Sequence, residues 1–167
     1  MKSMQITVGL KDGYLPMIYT SQANVKRGNQ PIMSFPIEVR GIPAKTKSLA
    51  ISLIDYDAVP RTGFPFIHWL AANVPPMAEI PVDFSRNFEG PQGQNSWMSR
   101  FYGINDSYFA NHYAGPNPPD QSHHYTLTVY ALSQDMQLEN GFYYNDFRNQ
   151  LADRVIEKAG LQVLAKN

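Results

Sequence analysis

Leu49, Ile51 and Leu53 alternate with Ala50, Ser52 and Ile54, so residues 48–56 are apolar on both faces of a two-residue repeat, the pattern of a strand covered on both sides. This strand is expected to be central in a sheet. A second run of strand length, His68-Trp69-Leu70-Ala71-Ala72-Asn73-Val74, stops at Pro75 and Pro76, which cannot donate to a ladder. In residues 125–132, Tyr125, Leu127, Val129 and Ala131 share one face and predict a third strand. Shorter runs at 4–9 and 37–39 read as strands around an irregular segment with Gly28, Asn29, Gln30 and Pro31. Only near the C-terminus does the period lengthen. Phe147, Leu151, Val155 and Ala159 recur at fours beside Ala152 and Ile156, which predicts a helix over 145–159 ended by Gly160. Asn149, Asp153, Arg154 and Glu157 would face water.

Residues 82–119 show no sustained period, yet carry Trp97, Phe101, Tyr102, Tyr108, Phe109 and Tyr113. Disordered segments are poor in aromatics, and long loops in compact domains usually serve a function. The segment is read as a folded excursion that helps wall a site.

Composition narrows the class. A chain of 167 residues is long enough for one core and short for two. Thirteen prolines and eleven glycines with 13% aromatics favour short strands joined by elaborate loops. Lys plus Arg equals Asp plus Glu, so no basic field gathers nucleic acid. The chain has no cysteine, which excludes disulfides, thiolate zinc sites and a cysteine nucleophile. Residues 1–8 lack the apolar run of a secretory signal and no later stretch is long enough to span a membrane. A soluble, unprocessed, cytoplasmic protein is expected.

Three clusters carry candidate chemistry. Asp55 and Asp57 are two apart at the end of the strongest strand, and would face one way if the strand continued through them. Repulsion and burial would then raise the pKa of one. The alternative is that they accept backbone N–H groups and organise the turn signalled by Pro60 and Gly63. His68 opens the second strand, either as a ligand-binding group or as a satisfied core residue. Gly115-Pro116-Asn117-Pro118-Pro119 stiffens the chain ahead of His123-His124-Tyr125, as a site wall or simply as a rigid turn.

Taken in order, Asp55-Tyr56-Asp57-Ala58 near Pro60, His68-Trp69, the Gly115–Pro119 loop and His123-His124-Tyr125 running into an apolar strand resemble the phosphatidylethanolamine-binding (Raf kinase inhibitor-like) family, and its bacterial branch most closely. Gly41-Ile42-Pro43, Ser48-Leu49-Ala50, Asn73-Val74-Pro75 and Tyr130-Ala131-Leu132 extend the likeness. The resemblance implies a mostly β fold, an antiparallel Greek-key β-sandwich with a C-terminal helix, as a single domain over 1–167. It also implies a small ligand cavity at one edge of the sheets. Carried over by motif position, that cavity comprises Asp55, Asp57, His68, Gly115, Pro118, Pro119, His123 and Tyr125, with Asp55 anchored to His68. The chain departs from the usual pattern in several places. Tyr56 stands for a proline, Val59 separates Ala58 from Pro60, Val39 replaces a frequent tryptophan, His124 a common arginine and Asp120 a common lysine. These departures bear on ligand identity more than on fold.

The implied function is binding of phosphate or a phosphorylated head group in a shallow Asp/His pocket, with no catalysis and no cofactor. Regulation of a partner protein belongs to the same resemblance, since animal members restrain a protein kinase and plant relatives act in flowering control. Two other classes use the same residues. A hydrolase or metal-dependent enzyme would employ the Asp/His cluster as acid, base or ligands, although no Gly-x-Ser-x-Gly elbow, His-Glu-x-x-His helix or phosphate-cradling glycine loop occurs. A protein-interaction scaffold would present the aromatic excursion, which otherwise only packs loops onto the sheets. For the binding class, a carboxylate on one imidazole nitrogen favours the imidazolium and leaves the other N–H for an oxyanion. Main-chain donors in the loop are Gly115, Asn117 and Asp120, because proline has none, and Tyr125 adds a hydroxyl. Anion affinity measured by calorimetry is therefore expected to be higher below about pH 6.5, the reference histidine value, and a flat or rising profile would contradict this.

Overall fold

The computed structural model describes residues 3–167; of the N-terminal segment read for a leader, Met1 and Lys2 lie outside the described residues. In chain order the strands are β1 (Gln5–Thr7), β2 (Lys26–Arg27), β3 (Gln30–Pro31), β4 (Ile37–Arg40), β5 (Ser48–Asp55), β6 (Phe66–Val74), β7 (Glu79–Ile80), β8 (His123–Leu132) and β9 (Val155–Ala165). The α-helical segments are α1 (Val59–Thr62), α2 (Phe84–Asn87), α3 (Ser107–Ala110) and α4 (Tyr144–Leu151). All the strand pairs are antiparallel. They form a four-stranded sheet in the order β6-β5-β8-β9, a three-stranded sheet β1-β4-β7 and the β2–β3 hairpin. The expected mostly β, antiparallel architecture is present. Among the described residues no helix is long and apolar enough to cross a membrane.

Every residue of β5 is buried, as its two apolar faces require. On one side Leu49, Ile51 and Leu53 meet Ile6, Ile37, Val39 and Ile80 of the smaller sheet in one apolar cluster. On the other, Ala50 belongs to a second cluster with Leu70, Leu132, Phe142, Phe147 and Leu151, so α4 covers the outer face. Phe147 is the centre of that cover: its ring lies 5.8 Å from Phe142 and 6.0 Å from Tyr130.

The helix predicted over 145–159 is only half formed. It ends at Leu151, and residues 155–165 instead pair with β8 along its length. A spacing of four is even, so Ala159 and Val163 keep one face in a strand as well as in a helix, and the pattern alone does not separate the two; Val155, on the far side of a bulge at Ile156, falls on the other face and is exposed. The β8 ladder decides, because it satisfies the backbone groups of the segment. Gly160, expected to stop a helix, sits mid-strand opposite Thr128.

A register shift in the β5–β6 pair bears directly on the site. Leu53 pairs with Trp69 but Ile54 with Ile67, leaving His68 as the extra residue of a bulge, a feature that re-aims a side chain. The aromatic excursion is folded, as expected, and is pinned from beneath by Gln92. Its Oε1 accepts from Trp69 Nε1 (2.9 Å) and Ser85 Oγ (2.7 Å), its Nε2 donates to Ser85 O (2.8 Å), and Ser85 Oγ accepts from Tyr113 N (2.9 Å). Asn95 Nδ2 adds bonds to Phe109 O (2.7 Å) and His112 O (2.8 Å). Replacing buried Gln92 by leucine strands several of these groups, and is expected to lower stability by roughly 2–4 kcal/mol in urea denaturation; a loss below about 0.5 kcal/mol would show that the network is not what holds the excursion.

Candidate functional site

β5 ends at Asp55, whose register partners are Tyr125 on β8 and Phe66 on β6. His123 precedes Tyr125 by two residues and so shares its face, diagonal to Asp55 and within reach of it. The two side chains meet: His123 Nδ1 lies 2.7 Å from Asp55 Oδ2. The other ring nitrogen, Nε2, lies 2.8 Å from Asp120 Oδ1. Ionised carboxylates only accept, so both nitrogens must carry hydrogen and the ring is an imidazolium. Burial works against that charge, but the bonds and charges of Asp55 and then Asp120 outweigh it and raise the His123 pKa.

His68 is in the opposite state. Burial, offset only in part by its bond to Ala114 O and by the Asp55 charge, lowers its pKa to about 4. Nδ1–H donates to Ala114 O at 2.6 Å, which fixes the neutral tautomer and leaves Nε2 as an acceptor. Ala114 N in turn donates to His68 O at 3.0 Å, clamping the Gly/Pro loop to the bulge in β6. Gly115 continues the attachment: its N–H donates to Pro31 O at 2.8 Å. A Cβ there would lie 2.9 Å from Pro31 Cγ and 3.0 Å from Tyr19 O, so only glycine fits between loop and hairpin.

These elements enclose a cavity of about 290 Å³. Asp55, His68, His123 and Tyr125 form its polar floor, and Gly115, Asn117, Pro118 and Pro119 one wall. Phe66, Trp97 and Tyr102 form another, with Trp97 and Tyr102 ring centroids 4.6 Å apart and Phe66 5.1 Å from Trp97. Ala58, Arg61 and Thr62 from the α1 turn and Gln30 from the hairpin complete the lining. Gly63, at φ +87°, ends the α1 turn in a conformation that favours glycine. Two buried polar atoms of this lining, Asp55 Oδ1 and Trp97 Nε1, have no hydrogen-bond partner among the described residues. The arrangement can therefore accept from and donate to a small polar ligand.

Residues 5–166 match the family described as Phosphatidylethanolamine-binding protein. The chain belongs to that family. A Bacillus subtilis relative, the uncharacterized protein YxkA, is 40% identical over 92% of this chain and 94% of its own, in keeping with the bacterial branch. Escherichia coli YbcL is 35% identical over 57% of this chain and half of its own. Its crystal structure, described as a new member of the mammalian family, has a TM-score of 0.75 at 23% identity and covers 99% of each chain. A Chlamydia trachomatis structure described as a putative homologue gives 0.76, also at 23% identity, over 99% of this chain and 98% of its own. These two likenesses concern the fold.

Seven of the eight residues carried over from the family line the cavity: Asp55, His68, Gly115, Pro118, Pro119, His123 and Tyr125. Asp57 does not. β5 ends before it, and its carboxylate accepts from His124 N at 2.8 Å, which with the nearby imidazole lowers its pKa. It ties the turn after β5 to the start of β8 and is not half of a carboxylate pair. The anchor pair also differs, since Asp55 bonds His123 and not His68; the bulge commits His68 to the loop carbonyl. Gly115 N–H is spent on Pro31 and is not free for an anion. Asn117 lay within the loop motif, and Trp97 and Tyr102 within the excursion read as a wall. Arg61 and Gln30 had no sequence signal, because only tertiary packing brings α1 and the hairpin to this edge.

The two histidines give opposite pH dependences of folding. The depressed His68 pKa means that the unfolded chain takes up a proton first, so stability present above about pH 6.5 is lost as pH falls toward 4, by about 3 kcal/mol. The raised His123 pKa contributes stability below about 6.5 that is lost as pH rises through its folded value. Urea midpoints are expected to peak near the reference histidine pKa, and His68→Asn, which keeps a donor for Ala114 O, to flatten the acid limb. An unchanged acid limb in this variant would refute the assignment.

Proposed function

We propose that this protein is a non-catalytic binding module for a small protonated oxyanion, dihydrogen phosphate or the monoanion of a phosphomonoester. The observation that carries the reading is the buried Asp55 Oδ1 without a partner at the floor of the cavity. A buried acceptor left unpaired is costly, and a P–OH group supplies the donor it lacks. His68 Nε2 is a second acceptor. The ligand's charged oxygens would be met by Arg61, Trp97 Nε1 and the Tyr125 hydroxyl, all from residues lining the same cavity. A volume of about 290 Å³ suits a head group and not a whole lipid.

The pH dependence keeps the direction expected from sequence but changes its source. With the His68 pKa near 4, the group that titrates near neutrality is the ligand, whose dianion gains a proton to become the monoanion below about pH 6 for a phosphomonoester. A regulatory partner, if the module serves one, would meet Phe101, which is 64% exposed and packs edge-on against the cavity residue Tyr102.

Calorimetric titration with phosphate, phosphoethanolamine and sulfate tests the reading. Sulfate has no proton to offer Asp55 and is expected to bind at least about tenfold more weakly than phosphate. Asp55→Asn, whose amide can donate, should narrow that gap. Equal affinity for phosphate and sulfate, or turnover of a phosphoester by the protein, would overturn it.

A further inference from the structure

We infer that Asp120 is a built-in competitor for the ligand: its carboxylate occupies the His123 Nε2–H that an incoming oxyanion would use, and ligand entry displaces it. The inference rests on the binding reading above and deepens it. His123 is 2% exposed and gives both of its donors to carboxylates, Asp55 at 2.7 Å and Asp120 at 2.8 Å. The two carboxylates are not equivalent. Asp55 is 5% exposed at the end of a buried strand, and its release would leave a charge in the interior. Asp120 is 40% exposed, directly follows Pro118 and Pro119 of the cavity wall, and can turn into water at small cost. Asp55 is therefore the anchor and Asp120 the exchangeable partner.

A carboxylate oxygen and a phosphate oxygen ask the same thing of an imidazolium N–H, and Nε2 has one hydrogen to give. The ligand must then outcompete a tethered carboxylate at high effective concentration. That requirement disfavours simple carboxylates, which offer no more than Asp120 already does, and favours phosphoryl groups, which bring further oxygens and a P–OH for Asp55. Asp120 thus sets both the affinity and the selectivity of the pocket. The other charged and titratable groups that face His123 are His68 on β6, Tyr125 on β8 and Asp57 beyond β5. None of them takes the place of Asp120 at Nε2.

The test uses the full chain at about pH 6, below the reference histidine value, titrated calorimetrically with inorganic phosphate as wild type, Asp120→Ala and Asp120→Asn. The His123 imidazole pKa is followed by NMR. Removal of the carboxylate is expected to tighten phosphate binding about three- to tenfold and to lower the His123 pKa. Asp120→Asn, which retains an amide oxygen as a weaker acceptor, should fall between. Phosphate bound by wild type but no more tightly by Asp120→Ala would overturn the competitor and leave the pocket reading standing. An unchanged His123 pKa would also overturn it, since the contact would then be absent in solution. Binding by Asp120→Ala alone would support the competitor and overturn native phosphate binding. No binding by any of the three would overturn both.

Discussion

Burial of β5 on both faces is the constraint from which the site follows. A strand that is covered above by the smaller sheet and below by α4 has no solvent-facing side, so the carboxylate at its end enters the interior and needs a partner there. The antiparallel register with β8 supplies one, by placing His123 two residues from the position opposite Asp55. The ion pair is thus a product of strand order and register before it is a feature of any ligand site.

The two histidines show how the same side chain is driven to opposite states by its hydrogen-bond partners. His68, in a bulge, meets a backbone carbonyl and is kept neutral by burial. His123, between two carboxylates, is held charged despite being as deeply buried. Holding one ring neutral and the other charged a short way apart limits their mutual repulsion. It also divides the labour of the pocket between an acceptor and a charge.

The loops around the cavity are held by backbone and amide contacts and only in part by apolar packing. The Gly/Pro loop is clamped to His68 and to Pro31, and the aromatic excursion to Gln92 and Asn95. Prolines reduce the freedom the wall would otherwise lose on folding, and the aromatic rings of Phe66, Trp97 and Tyr102 pack against each other as a second wall.

Several features were determined by the sequence alone. The two-faced apolar pattern of residues 48–56 identified the central strand, and the alternation in 125–132 its neighbour, because a period of two leaves little else for such runs to be. The ordered motifs likewise located seven of the cavity residues. Tertiary structure decided what local patterns leave degenerate. A repeat of four fits a helix and a strand equally, so only the free edge of β8 turned residues 155–165 into β9. The partner of Asp55, the bond of Asp57 to the start of β8 and the arrival of Asp120 at His123 depend on where β5 stops, on one inserted residue in β6 and on how a proline loop lies across a sheet edge. Each is settled by contacts between residues far apart in the chain, about which spacing along the chain carries no information.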